Sequence, residues 1–174
     1  EDVFIHALQW AIGLELFLLS GDPWRIMLST DHPNGGSFMS YPKLIRLLMD
    51  KDFRREEITK VNQKAMSKTR LKELDREYTL YEIAIISRAA PARALGLKTK
   101  GHLGTGADAD ITIYDENADR ERMFSTPRYV IKSWQMIIRD HEFIGDHEGC
   151  LLHVVPQYDA QIAEIVRPFF EEYY

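Results

Sequence analysis

The segment Thr30-Asp31-His32-Pro33-Asn34-Gly35-Gly36 sets a carboxylate, an imidazole and a carboxamide close together, directly after the apolar run Ile26-Met27-Leu28. A carboxylate in that position can bind a metal ion or accept a proton from metal-bound water, as groups at the carboxyl ends of strands do in α/β enzymes. The same residues also make a loop closure, with Asp31 as a turn cap and His32 as a polar loop residue. Asn34-Gly35-Gly36 fits a plain turn and, equally, a close approach of backbone to a ligand. Other groupings carry less. Gly101, Gly104 and Gly106 lack the Lys-Ser/Thr and the following helix that a phosphate loop requires. Asp140, His141, Asp146, His147 and Glu148 fall among turn signals, with no cysteine pair or helical histidine pair, and read as a solvated loop. His6, His102 and His153 stand isolated. Cys150 reads as a buried, inert thiol at the head of a strand.

The elements around Asp31 follow from hydrophobic period. Residues 3–19 predict a helix apolar around most of its circumference, which protein must cover on nearly every side. Gly21-Asp22-Pro23 ends it, and residues 25–30 predict a short strand covered on both faces. Ser40 and Pro42 open a helix whose apolar stripe is Leu44, Ile45, Leu47 and Leu48. Residues 54–77 predict a surface-lying helical stretch anchored by Leu71 and Leu74. Thr79 and Glu82 form a capping box for a helix with Leu80, Ile83, Ala84 and Ile86 on its apolar face, closing at Gly96. Beyond Lys98 the period changes. Residues 111–115, 128–133, 136–139 and 150–155 predict strands, with a hairpin turning near Ser133-Trp134-Gln135, and a last helix covers 159–172. The pattern is α/β, with a boundary near residue 98.

Composition narrows the function classes. The 174 residues are 45% hydrophobic and 28% charged, the balance of a globular protein with a core large enough to need no disulfides. The single cysteine fits a reducing, cytoplasmic compartment. A net charge of −5 argues against nucleic acid as a partner. Residues 51–77 are locally basic, but their mixed signs at helical spacing describe a solvated face. Glu15 interrupts the apolar N-terminal stretch and Glu1-Asp2 is acidic, so neither a membrane span nor a signal peptide fits.

Two blocks carry a family resemblance. Ser87-Arg88-Ala89-Ala90-Pro91-Ala92-Arg93-Ala94-Leu95-Gly96-Leu97, followed by Gly101-His102-Leu103-Gly104-Thr105-Gly106-Ala107-Asp108-Ala109-Asp110-Ile111, resembles the post-barrel signature of metal-dependent amidohydrolases. Upstream, Gln9-Trp10-Ala11-Ile12-Gly13-Leu14-Glu15-Leu16, Asp22-Pro23-Trp24-Arg25, the Thr30–Gly36 block and Tyr41-Pro42 resemble the amidohydrolase-like subunit of formylmethanofuran dehydrogenases, and the similar subunit of methylotroph formyltransferase/hydrolase complexes.

The resemblance implies a longer protein, of which this chain is the C-terminal third. Residues 1–98 would be the last part of a (β/α)₈ amidohydrolase barrel, and 99–174 a small β-sandwich-like domain with a C-terminal helix. It implies a binuclear zinc site and chemistry at the formamide C–N bond of N-formylmethanofuran, with formate and methanofuran as the small-molecule substrates. Partner subunits of such complexes carry molybdenum or tungsten and iron–sulfur centres. Carried over by position, Asp31 matches the aspartate closing the eighth barrel strand, a metal ligand and general base. His32, Asn34 and Gly35 match neighbours lining the substrate pocket. The family's His-x-His pair, bridging lysine and two later histidine ligands have no counterparts in this chain. It is therefore expected to be inactive by itself and to bind no metal tightly, and to expose apolar surface on helix 3–19 and strand 25–30. Two alternatives stand beside this reading: an amidohydrolase of cyclic-amidase type, and a non-catalytic module that docks other subunits.

Overall fold

Sixteen residues from Phe4 to Leu19 form helix α1, in which Glu15 is the one acidic residue. The structure is a computed structural model and describes residues 3–152, 157 and 159–173. Ala7, Ala11, Leu14 and Leu18, at helical spacing, form the buried stripe. Ile5, Ile12, Leu16 and Leu19 stay exposed on the same helix. The all-round apolar helix expected from sequence is present, but the described residues cover only one side of it. Asp22 then accepts a hydrogen bond from the Trp24 N–H and starts a single 3₁₀ turn, Pro23–Arg25.

The expected strand at 25–30 does not form. Residues 26–30 have no regular secondary structure, and the Leu28 N–H donates to the Ile86 carbonyl at 3.0 Å. A strand exists only through its ladder partners, and none of the described strands pairs with this segment.

Helices α2 (Tyr41–Met49) and α3 (Lys51–Thr59) follow, joined by Asp50 alone. Pro42 lies in the first turn of α2, while Ile45, Leu47 and Leu48 are buried. Asp50 caps α3 by accepting from the Phe53 N–H. The helical stretch expected over 54–77 is broken. Asn62 caps a separate short helix α4 (Gln63–Met66), Leu71–Glu73 is a 3₁₀ turn, and the chain beyond runs non-helically to Thr79. The reason is Arg54, which is 1% exposed. Its guanidinium donates to the carbonyls of Leu47, Leu74 and Arg76 at 2.7, 3.0 and 2.9 Å. Those bonds satisfy backbone that would otherwise need a helix. Leu71 is a buried anchor, as expected.

Thr79 and Glu82 make the reciprocal capping box at the start of α5 (Leu80–Ala84). The helix then widens into a π-turn, Ile85–Ala89, before returning to α-geometry in α6 (Ala90–Ala94). Gly96, at φ +70°, closes it in the left-handed conformation glycine adopts most readily. The sheet is four-stranded and antiparallel, in the order β1 (Ile111–Ile113), β2 (Tyr129–Lys132), β3 (Gln135–Arg139), β4 (Glu142–Phe143). Ser133 and Trp134, both at positive φ, make the β2–β3 turn where the sequence places it. The described residues build this one sheet rather than two facing sheets, so the sandwich-like expectation reduces to a single layer. Helix α7 (Arg120–Ser125), unforeseen in the sequence, packs on α2. Residues 150–152 form no strand, and 153–155, with His153, lie outside the described residues. Cys150 is exposed, contrary to expectation, because the segment that should have buried it joins no sheet. Helix α8 (Gln161–Tyr173) has no buried residue. No helix is long and apolar enough to cross a membrane.

Candidate functional site

Asp31 stands at the head of an arm formed by residues 26–30, which the Leu28–Ile86 hydrogen bond ties to the π-turn. A second tie lies just before the arm, where the Arg93 guanidinium sits 5.5 Å from the centre of the Trp24 ring. Asp31 itself adopts φ +51°, a conformation that aspartate tolerates better than most residues. Its N–H donates to the Ser29 hydroxyl at 3.3 Å, and its carbonyl accepts from the Gly35 N–H at 2.8 Å, closing one turn. Gly35 lies directly against it. A Cβ on Gly35 would come within 2.9 Å of both the Asp31 Cβ and the Thr30 carbonyl oxygen.

His32, joined to Pro33 by a cis peptide bond, stacks edge-on against Phe38 with ring centres 4.8 Å apart. Asn34 is exposed at the turn. The structure thus brings Asp31, His32, Asn34 and Gly35 together in one exposed loop between the arm and α2, with the Asp31 carboxylate open to solvent. Beneath the arm lies a small cavity of about 180 Å³, lined by Trp10, Leu14, Phe17, Leu28, Ser29 and Leu44 among others. Ser29 and Phe38, which steady Asp31 and His32, escaped the sequence reading because a hydroxyl and a ring in a loop carry no spacing signal.

The residues present do not by themselves fit a zinc site. A catalytic zinc takes about three protein ligands, and no group of three or more His, Cys, Asp or Glu among the described residues is arranged to hold a metal. Asp31 is one carboxylate. The acidic and histidine residues at 140–148 serve local structure: His141 Nε2 lies 3.1 Å from Asp115, and His147 Nδ1 lies 3.2 Å from the Gln135 side chain. His102 closes its own glycine-rich loop, accepting from the Gly104 N–H and bonding the Lys98 carbonyl.

The strongest charge cluster lies at the entry to β1. Lys100 bonds Asp108 and Asp110 at 2.8 and 2.7 Å, while Lys132 and the Ser133 N–H also bond Asp110. Burial alone would raise the Asp110 carboxyl, but those donors outweigh it and hold the group well below the usual carboxylate range. Hydrogen bonds to Asp108 and Asp110 push Lys100 above the usual ammonium value. This cluster fastens the glycine-rich loop to the β2–β3 hairpin.

The sequence profile of the Amidohydrolase family matches residues 4–139, from the start of α1 to the end of β3. The chain belongs to the amidohydrolase family. It is 42% identical to the amidohydrolase-type component of the formyltransferase/hydrolase complex Fhc of Methylorubrum extorquens, over 97% of this chain and 31% of that protein. It is 41% identical to protein FwdA of Methanocaldococcus jannaschii, over 92% of this chain and 29% of that protein. In three dimensions it matches a chain of the crystal structure of the formyltransferase/hydrolase complex FhcABCD from Methylorubrum extorquens in complex with methylofuran. The TM-score is 0.89 at 40% identity, covering 99% of this chain and 32% of that one. This amidohydrolase chain therefore spans just under a third of the relatives it matches.

Proposed function

We propose that this chain supplies the Asp31 carboxylate to a hydrolytic site that acts on the formamide C–N bond of a formylated, methanofuran-like amine. The observation that carries the reading is the seating of Asp31. It is held at the tip of an arm, backed by a glycine with no room for a side chain, in a chain that superposes end to end on part of a methylofuran-bound complex. Within that reading, residues 1–98 are the last part of a (β/α)₈ barrel and 99–174 a separate small β domain. Further subunits and any zinc ligands besides Asp31 come from beyond the described residues.

The chemistry asked of Asp31 is general base and then general acid catalysis. Its carboxylate takes a proton from the water whose oxygen bonds to the formyl carbon. As the C–N bond breaks, the electron pair passes to nitrogen and the proton follows it, leaving formate and a free amine. His32 and Asn34 offer polar contacts to the substrate beside that carbon, and Gly35 lets the backbone come close. The exposure of this loop among the described residues fits a site completed by other parts of the protein.

The test is Asp31→Asn in the complete complex, with formylmethanofuran turnover and complex assembly measured separately. Turnover is expected to fall at least about 10³-fold with assembly intact, within the range that acid–base groups contribute. Normal turnover, or lost assembly with the turnover per assembled complex unchanged, would overturn the reading in favour of a docking module.

A further inference from the structure

The π-turn interrupts a helix at Ile85–Ala89 and ends two residues before Pro91. Its effect on hydrogen bonding can be followed atom by atom. In an α-helix the Ile86 carbonyl would accept from the Ala90 N–H, but here that N–H donates to Ile85. In a π-helix the Ile86 carbonyl would instead accept from residue 91, which is proline and has no N–H. Ile86 therefore has no partner from either helical register, although the residue is fully buried. A buried carbonyl without a donor is costly. The donor it finds is the Leu28 N–H at 3.0 Å, three residues before Asp31.

We infer that the π-turn and Pro91 together form a clamp that positions Asp31: they free one main-chain carbonyl, and that carbonyl holds the arm. This rests on the proposed role of Asp31 and extends it to residues that touch no substrate. Two further contacts place the clamp on the arm rather than elsewhere. The 3₁₀ turn Pro23–Arg25 packs on the π-turn and on α6, and Arg93, two residues beyond Pro91, lies over the Trp24 ring. Pro91 and Arg93 thus act on the same arm from one helix end. Through this clamp the signature block at 87–97 would set the geometry of a loop more than fifty residues upstream.

The experiment uses the full-length protein in its complex. Pro91→Ala gives position 91 an N–H, which offers the Ile86 carbonyl a helical partner in place of Leu28. A second variant replaces Leu28 by its α-hydroxy acid analogue, which deletes only the N–H and keeps the side chain. Amide exchange at Leu28, kcat, KM and assembly are followed, with Asp31→Asn as the reference. For Pro91→Ala we expect Leu28 exchange at least about fivefold faster, the scale of one hydrogen bond. For both variants kcat should fall about tenfold or more, as misplaced catalytic groups do, with KM within about twofold and assembly unchanged. A merely structural role would lower the yield of assembled complex and leave kcat per assembled complex intact, which would overturn the proposal. So would wild-type kcat in the hydroxy-acid variant while Asp31→Asn is inactive. Should Asp31→Asn retain turnover, the role of Asp31 fails instead, and unchanged Leu28 exchange in Pro91→Ala would then dispose of the clamp as well.

Discussion

Gly35→Ala should slow turnover without disturbing assembly, and its size can be worked from the contacts. The added Cβ would lie 2.9 Å from the Asp31 Cβ and 2.9 Å from the Thr30 carbonyl oxygen. Carbon pairs rest at about 3.5–4.0 Å, so the Asp31 arm must retreat by at least roughly half an ångström. Neither obstacle is the free end of a flexible side chain. Gly35 is not among the glycines at positive φ, so the effect is purely steric. Taken up as strain, such crowding costs about 1–3 kcal/mol. Taken up as displacement, a misplacement of about 1 Å is worth about 10²-fold in rate, and half of it should cost about tenfold in kcat. Gly36→Ala is the control, since its Cβ would meet the Thr30 oxygen at an ordinary 3.5 Å. The assay is steady-state turnover of the assembled complex with each variant. Equal kcat for Gly35→Ala and wild type would refute the placement of Asp31 in the chemistry, and equal losses for both glycines would refute the steric reasoning.

Arg54→Met leaves the carbonyls of Leu47, Leu74 and Arg76 without their donor. The full-length protein should lose about 3 kcal/mol or more, read as a lower thermal midpoint and faster amide exchange over residues 74–78; a change within about 0.5 kcal/mol would refute it. Because Asp110 is held below its unfolded value, its contribution to stability is present above about pH 4 and is lost as pH falls. Asp110→Asn should therefore lower stability at pH 7, with the gap to wild type narrowing below about pH 4 in denaturant titrations; a gap that widens in acid would contradict the sign. Isothermal titration of this chain with zinc should give no tight stoichiometric site, and a one-to-one isotherm with submicromolar affinity would refute that.

Much of the fold was legible because local signals were strong. The capping box of Thr79 and Glu82, the left-handed Gly96 and the turn at Ser133-Trp134 depend on neighbours in sequence, and all three stand where residue chemistry puts them. Period alone misled where long-range bonds decide the outcome. The helical pattern across 54–77 could not reveal that Arg54, which looks like one more surface charge, is buried and bonded to backbone twenty residues away. The run 25–30 has the composition of a covered strand, but strand formation depends on a ladder partner that composition cannot supply. Helix α7 is six residues long and too short to show a period. At the site, the Asp31 loop stood out by residue type. The atoms that seat it, Ser29 Oγ, the Leu28 N–H and the Ile86 carbonyl, did not, because main-chain pairing at a π-turn leaves no mark in side-chain pattern.

Asp119 has a consequence for how the two parts of the chain unfold. One of its carboxylate oxygens accepts from the N–H groups of Glu121 and Arg122, starting α7, and the other holds Arg46 of α2 at 3.0 Å. Winding α7 and docking it are thus the work of a single side chain, and neither is complete without the other. A change of composition near residue 98 need not be a seam in cooperativity. Heat or denaturant that loosens the hairpins should release α2 at the same midpoint, so fluorescence of Trp24 and of Trp134 should report one shared melting curve.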